Sequence, residues 1–252
     1  MISGYNDYSL IFIMRGVYMI KRFFAAICLI VMICFFVFEY FNQNDAVFTL
    51  NSYYINKRTV IVDAGHGGFD GGAVAYDGTI EKDLNLAISQ KLESILIILG
   101  YNPVMVRDSD VSTENSENDS GSKKASDIKN RVALMKKYPD ACFVSIHMNK
   151  YQTSQPHGAQ VFYSKFNGSD ILAKSIQQSI HNNVQQDNNR VVKPTTKSIY
   201  LLNHATIPTV IAECGFLSNN NDLLNLKNSD YQLKIAASIA YGIVDYFNLT
   251  KE

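Results

Sequence analysis

Residues 59–73 read TVIVDAGHGGFDGGA. Five β-branched or small apolar residues run into a glycine-rich turn, so Thr59–Gly65 predicts a buried strand that stops abruptly. An amphipathic stretch follows. Leu84, Ala87, Ile88, Leu92, Ile95, Leu96 and Leu99 recur at spacings of three and four, which predicts a helix over Glu81–Leu99 stopped by Gly100. The alternation then repeats. Strands are expected at Asn102–Val106, Ala141–His147, Ala159–Tyr163, Ser198–Leu202 and Thr209–Glu213. Helices are expected at Asp127–Tyr138, Ser169–Asn182 and Tyr231–Phe247. Strands alternating with helices imply a single α/β domain with a mostly parallel, twisted sheet of about six strands flanked by helices. Two polar stretches, Asp108–Asp127 and Asn182–Ser198, read as solvated loops or as a rim around a cleft.

Composition bounds the partners. The chain has 252 residues, 47% hydrophobic and 18% charged, which excludes a disordered or collagen-like polymer. Lys+Arg and Asp+Glu are both 23, a balance that argues against a nucleic-acid binder. Four cysteines make no disulfide framework in a chain of this length.

Upstream, Phe23–Phe38 (FFAAICLIVMICFFVF) is uncharged and almost wholly apolar, with Arg15, Lys21 and Arg22 before it and Glu39 and Asp45 after it. A transmembrane anchor over 23–41 is expected, behind a cytoplasmic segment 1–22 and before a linker 42–57 and a catalytic domain 58–250. A cleaved signal peptide is the rival reading, with secretion as its consequence. Met14 and Met19 are alternative starts to Met1. Either reading places the folded domain outside the cytoplasm.

Four residues stand out by position. His66 and His147 close two predicted strands, Glu213 closes a third, and Glu81 opens the helix after the first. In open α/β sheets ligands gather at the carboxyl ends of strands, so these residues can converge. Two imidazoles and one carboxylate suit Zn²⁺ and leave a coordination position for water, while a second carboxylate serves as general base. Each has an ordinary alternative: Glu81 as a helix-start acid, Glu213 as a turn residue, His66 as a loop residue among glycines. His204, in YLLNHATIP, is the substitute ligand.

VIVDAGHGGFDGGA, Glu81 in EKDLNL, VMVRDSD, SIHMN and PTVIAECGFLSN together resemble the zinc-dependent N-acetylmuramoyl-L-alanine amidases of bacterial cell walls, and most nearly their spore-cortex, germination-specific members. The resemblance implies that His66, Glu81 and His147 bind Zn²⁺ and that Glu213 is the catalytic base. It places Arg107 and Arg131 at recurrent positions, read as structural partners of carboxylates near the cleft, and gives Asn149 of the H-x-N element an orienting role. Many relatives carry a basic residue at the position that Asn203 occupies in this chain. Cys214 is expected on the strand face opposite Glu213, as packing.

The implied activity is hydrolysis of the amide between N-acetylmuramic acid and L-alanine of the stem peptide, in spore cortex maturation (muramic δ-lactam formation) and germination. Peptidoglycan is the expected substrate, with an accessory protein or a homodimer left open. The rivals are a zinc carboxypeptidase acting on another amide and an anchored wall-binding or scaffold module without activity. Intact Glu213 and the lack of repeated aromatic units argue against the second.

Overall fold

A computed structural model describes residues 58–114, 122–196 and 198–250, together with 23, 27, 29–33 and 35. The chain divides into two compact units, Met1–Ile55 and Asn56–Glu252. The described residues of the first unit are helical. Most of the expected anchor at 23–41, the flanking 1–22 and the linker to Lys57 lie outside the described residues. No helix among the described residues is long and apolar enough to cross a membrane.

The second unit is an α/β domain. Its strands are β1 (Thr59–Ala64), β2 (Asn102–Met105), β3 (Cys142–Asn149), β4 (Gln160–Tyr163), β5 (Lys193–Pro194) and β6 (Thr209–Phe216). Its helices are α1 (Glu81–Ile98), α2 (Lys123–Lys137), α3 (Ser169–Asn183), α4 (Tyr200–Asn203), α5 (Asn220–Lys227) and α6 (Ser229–Leu249). The six strands form one sheet in the order β2-β1-β3-β6-β4-β5.

The sheet is mixed rather than the mostly parallel one expected. β1–β2, β1–β3, β3–β6 and β4–β5 are parallel, but β4 runs antiparallel to β6. The cause lies in the connections. Parallel neighbours need a crossover, and helices supply it elsewhere, whereas residues 150–159 join β3 to β4 with no helix, so the chain turns back.

Strand alternation sorts the core into two layers. Val60, Val62, Val144, Ile146, Val210, Ala212 and Cys214 face one side, packed with Leu84, Ile88, Leu92 and Leu96 of α1 and with α3 and α6. Ile61, Phe143 and Ile211 face the other, with Val132 and Met135 of α2 and Leu201 and Leu202 of α4. Burial on both faces explains the unbroken apolar runs of β1 and β3. The stripe of α1 recurs every four residues, and Gly100 at φ 81° ends the helix as predicted.

Four elements differ from expectation. The apolar run Ser198–Leu202 predicts a strand, but Tyr200–Asn203 forms one helical turn, with Asn203 Nδ2 donating to Thr196 O and Ile199 O at 2.8 Å. A five-residue apolar run has too little length to show its period, and burial of Leu201 and Leu202 in the second layer decides it. The expected loop 182–198 contains the short β5. Helix α5 went unexpected although its capping is plain: Asn219 Oδ1 accepts from Asn221 N and Asp222 N at 3.0 and 3.1 Å. Helix α2 starts at Lys123, capped by Ser122, four residues before the predicted Asp127.

Candidate metal centre and catalytic site

The loop after β1 turns on backbone that few residues adopt. His66 sits at φ 61° and Gly72 at φ 71°. Gly67 and Asp70 exchange backbone hydrogen bonds (2.9 and 3.1 Å), closing a tight turn that brings His66 back over the sheet end. Two arginines hold this loop from below. Arg107 donates from Nε to Ala64 O (2.8 Å) and from Nη2 to Gly65 O and Lys82 O (3.0 and 2.9 Å). Its remaining bond reaches Ser109 O at 3.0 Å, so all four partners are carbonyls and none is the carboxylate expected. Arg131 does pair with carboxylates. It ion-pairs with Asp63 and donates from Nε to Asp127 Oδ2 at 2.8 Å, and its Nη2 reaches His66 O at 2.7 Å. Ser145 Oγ completes this buried cluster by donating to Asp63 Oδ2 at 2.6 Å.

Glu81 opens α1 and is 3% exposed. Its Oε2 accepts from Ala73 N at 2.8 Å and its Oε1 from Met148 N at 3.1 Å. That fixes the carboxylate so that Oε1 also meets His147 Nδ1 at 3.0 Å and His66 Nε2 at 3.3 Å. Burial pushes the Glu81 carboxyl up, but the two imidazoles outweigh it and hold it well below the usual carboxylate range. Burial lowers the His66 pKa, and the carboxylates of Glu81 and Asp70 reverse that to a net rise.

Two glycines make room for this. A Cβ at Gly65 would stand 2.2 Å from His147 Nε2, and one at Gly72 would stand 2.6 Å from both Glu81 Oε2 and His66 Cδ2. The glycine-rich spelling of the motif is therefore a packing requirement of the two imidazoles and the carboxylate, besides a turn signal.

One ligand atom from each of His66, Glu81 and His147 lies within 4.8 Å of the others, the one such metal-competent group among the described residues. The donor set fits a borderline divalent ion: two neutral imidazoles and one carboxylate, with a coordination position to spare. His204 is not part of the group; its ring stacks on Tyr200 at 3.8 Å and its Nδ1 meets Tyr200 O at 2.9 Å.

Glu213 lies on β6 as the register partner of His147 on β3. Its Oε2 is sealed from solvent and has no hydrogen-bond partner among the described residues, although the residue as a whole is only half-buried. Burial raises its carboxyl to about 7, with His147 opposing and Glu81 adding to the shift. Cys214 points into the opposite core layer. Asn149, at the end of β3, pairs with Phe216, and its carbonyl accepts from Leu217 N at 2.8 Å; its side chain makes no hydrogen bond among the described residues.

A cavity of about 250 Å³ opens beside the group, its lining combining apolar Ile128, Ile199, Leu201 and Ile211 with His66, Asp70 and His147. A larger polar cavity of about 610 Å³, around His157, Asn188 and Asn219, contains none of the four predicted residues and so lies apart from the chemistry. Sequence reasoning missed Asp63, Ser145, Asp70 and the α4 wall. A carboxylate inside a buried strand marks Asp63, and the fourfold offset from His66 marks Asp70. The wall carried no legible signal.

An α/β domain whose β1 loop, first helix and strands β3 and β6 bring together two imidazoles, a carboxylate and a second carboxylate with a sealed oxygen defines a protein equipped for metal-assisted hydrolysis. The chain belongs to the N-acetylmuramoyl-L-alanine amidase family, whose pattern matches residues 60–245. It is 33% identical over 218 residues to the germination-specific N-acetylmuramoyl-L-alanine amidase of Bacillus subtilis, covering 85% of this chain and 90% of that one. Among solved structures it is similar to the CwlD amidase from Clostridioides difficile in complex with the GerS lipoprotein, at 41% identity and TM-score 0.72, over 77% of this chain and all of that one. The amidase AmiC2 of Nostoc punctiforme is similar at 28% identity and TM-score 0.66, over 77% of this chain and 98% of that one.

Proposed function

We propose that this amidase uses zinc to hydrolyse the amide between the lactyl carbonyl of N-acetylmuramic acid and L-alanine of the peptidoglycan stem peptide. The observation that carries the mechanism is Oε2 of Glu213, sealed from solvent and without a hydrogen-bond partner among the described residues, on the strand paired with that of His147. His66, Glu81 and His147 would hold the ion. Bound there, zinc supplies Lewis-acid polarisation and acidifies water.

The protein's own groups do the rest. Glu213 accepts the proton of the attacking water at its carboxylate and delivers it to the nitrogen of the departing L-alanine. Burial makes the Glu213 carboxylate a stronger base than an exposed one, and a proton taken there can be returned to the leaving nitrogen. The clamp of Arg107 and Arg131 keeps the His66 loop in place throughout. A carboxypeptidase would need an arginine free to bind a terminal carboxylate, and these two spend their donors on the loop and on buried acids.

The place of action follows from the likeness to the germination-specific relative. Trimming of spore-cortex peptidoglycan, ahead of muramic δ-lactam formation, is the role that likeness favours. An accessory lipoprotein is the matching partner, since the C. difficile relative is found in complex with one. The apolar stretch 23–38 would anchor the chain with its catalytic domain outside the cytoplasm.

The test is digestion of purified peptidoglycan followed by muropeptide mass analysis, with and without a chelator. Peptide-free muramic residues and stem peptides with free L-alanine amino groups are expected, and both should vanish with the chelator. Cleavage within the peptide stem, or chelator-insensitive release, would refute the assignment.

A further inference from the structure

The two imidazoles are seated by different means. His147 is wedged against Gly65, where no Cβ fits. His66 has no such wedge on its Nδ1 side. That nitrogen instead meets Asp70 Oδ2 at 2.9 Å.

We propose that Asp70 is a positioning residue that holds His66 as the Nδ1–H tautomer and so aims its Nε2 lone pair at the metal, an inference that rests on the metal-hydrolase reading above. An ionised carboxylate only accepts hydrogen bonds. The proton of a neutral His66 ring must then lie on Nδ1, which leaves Nε2, the nitrogen 3.3 Å from Glu81 Oε1, as the donor atom.

Asp70 is itself fixed on every side. Its Oδ1 accepts from Gly72 N at 3.2 Å, and its backbone is closed onto Gly67. From α2, Lys124 Nζ reaches Oδ2 at 3.1 Å. The Gly67–Asp70 turn therefore carries the carboxylate back to the ring of the residue that precedes it. Without that bond, only packing against Gly72 and His147 orients the His66 ring and nothing fixes its tautomer, so binding a metal must first restore both. Carboxylates behind metal-bound histidines are worth about 10–100-fold in metal affinity, which sets the expected size.

Four variants of the full chain test this by Zn²⁺ competition against a chromophoric chelator: D70A, D70N, K124A and H147A. D70A should weaken zinc binding by about 10–100-fold while the metal-free protein melts as the wild type does. D70N should recover part of the loss, because its amide oxygen still accepts from Nδ1. K124A should change affinity by less than about threefold, since Lys124 is an exposed ion-pair partner. Long-range ¹H–¹⁵N spectra of the zinc-loaded wild type should show His66 protonated at Nδ1. Wild-type affinity in D70A with zinc lost in H147A would overturn the role of Asp70 while leaving the ligand set standing. A K124A loss equal to that of D70A, or metal on Nδ1 of His66, would overturn it too. Zinc retained at full stoichiometry in H147A would overturn the ligand set itself, and this inference with it.

Discussion

Glu213 and His147 are register partners on adjacent parallel strands, β6 and β3, so one β-ladder sets the buried carboxylate beside the imidazole. Neither residue depends on a long loop for its place. Strand pairing fixes the separation of base and metal site more rigidly than loop geometry would.

Removing the base should separate binding from chemistry. Glu213→Gln keeps the volume and loses the proton acceptor, so zinc content should stay at the wild-type level while turnover falls by about 10² or more. Turnover on muropeptides within a few-fold of wild type would remove Glu213 from the mechanism.

Metal binding should be coupled to protons. The carboxylates around His66 raise its pKa despite burial, and burial raises Glu213 to about 7. A raised pKa means more of each group is protonated near neutrality. Protonated His66 cannot ligate, and a cation entering the site drives the proton off Glu213. Zinc affinity should therefore rise with pH through about 7 and flatten above it. Calorimetry in buffers of different ionisation enthalpy should detect proton release; an affinity independent of pH between about 6 and 8 would contradict this coupling.

Gly65→Ala should damage the metal centre selectively. The added Cβ would fall 2.2 Å from His147 Nε2, and the ring must swing away to admit it. Zinc affinity should drop by about 10-fold or more, with far-ultraviolet circular dichroism unchanged. Wild-type affinity would show that the His147 ring has room to move without cost.

Arg131 is predicted to be a residue of stability first. Arg131→Met leaves Asp63 and Asp127 buried without their cation, at a cost of about 3–5 kcal/mol in urea unfolding. Burial raises Asp127, but Arg131 and Thr113 outweigh it and hold it below its ordinary value. A depressed folded-state pKa gives stability that is present above the unfolded value and is lost as pH falls through the folded one. The wild type should therefore lose part of its margin over the variant at acid pH. A difference below about 1 kcal/mol at neutral pH would show the cluster to be dispensable.

Much of the fold was readable from residue order. The doubly buried strands β1 and β3 announce themselves as apolar runs, and the α1 stripe from Leu84 to Leu96 leaves no other period. His66, Glu81, His147 and Glu213 were legible because each borders an apolar run, although β3 runs on to Asn149 and β6 to Phe216, so His147 and Glu213 lie inside their strands rather than at the ends expected. What failed had physical reasons. The reversal of β4 depends on a connection without a helix, which no local pattern encodes. The turn Tyr200–Asn203 is too short to show a period, and only its packing on the second core layer makes it a helix. Arg107 was expected to meet an acid because charge suggests charge, yet a guanidinium has enough donors to be satisfied by carbonyls alone.

The most direct measurement is metal content by mass spectrometry on purified wild type and His147→Ala. Stoichiometric zinc is predicted in the wild type and a trace in the variant, both chains remaining folded. Equal zinc in the two would contradict a shared site, because the three side chains would then not grip a common ion.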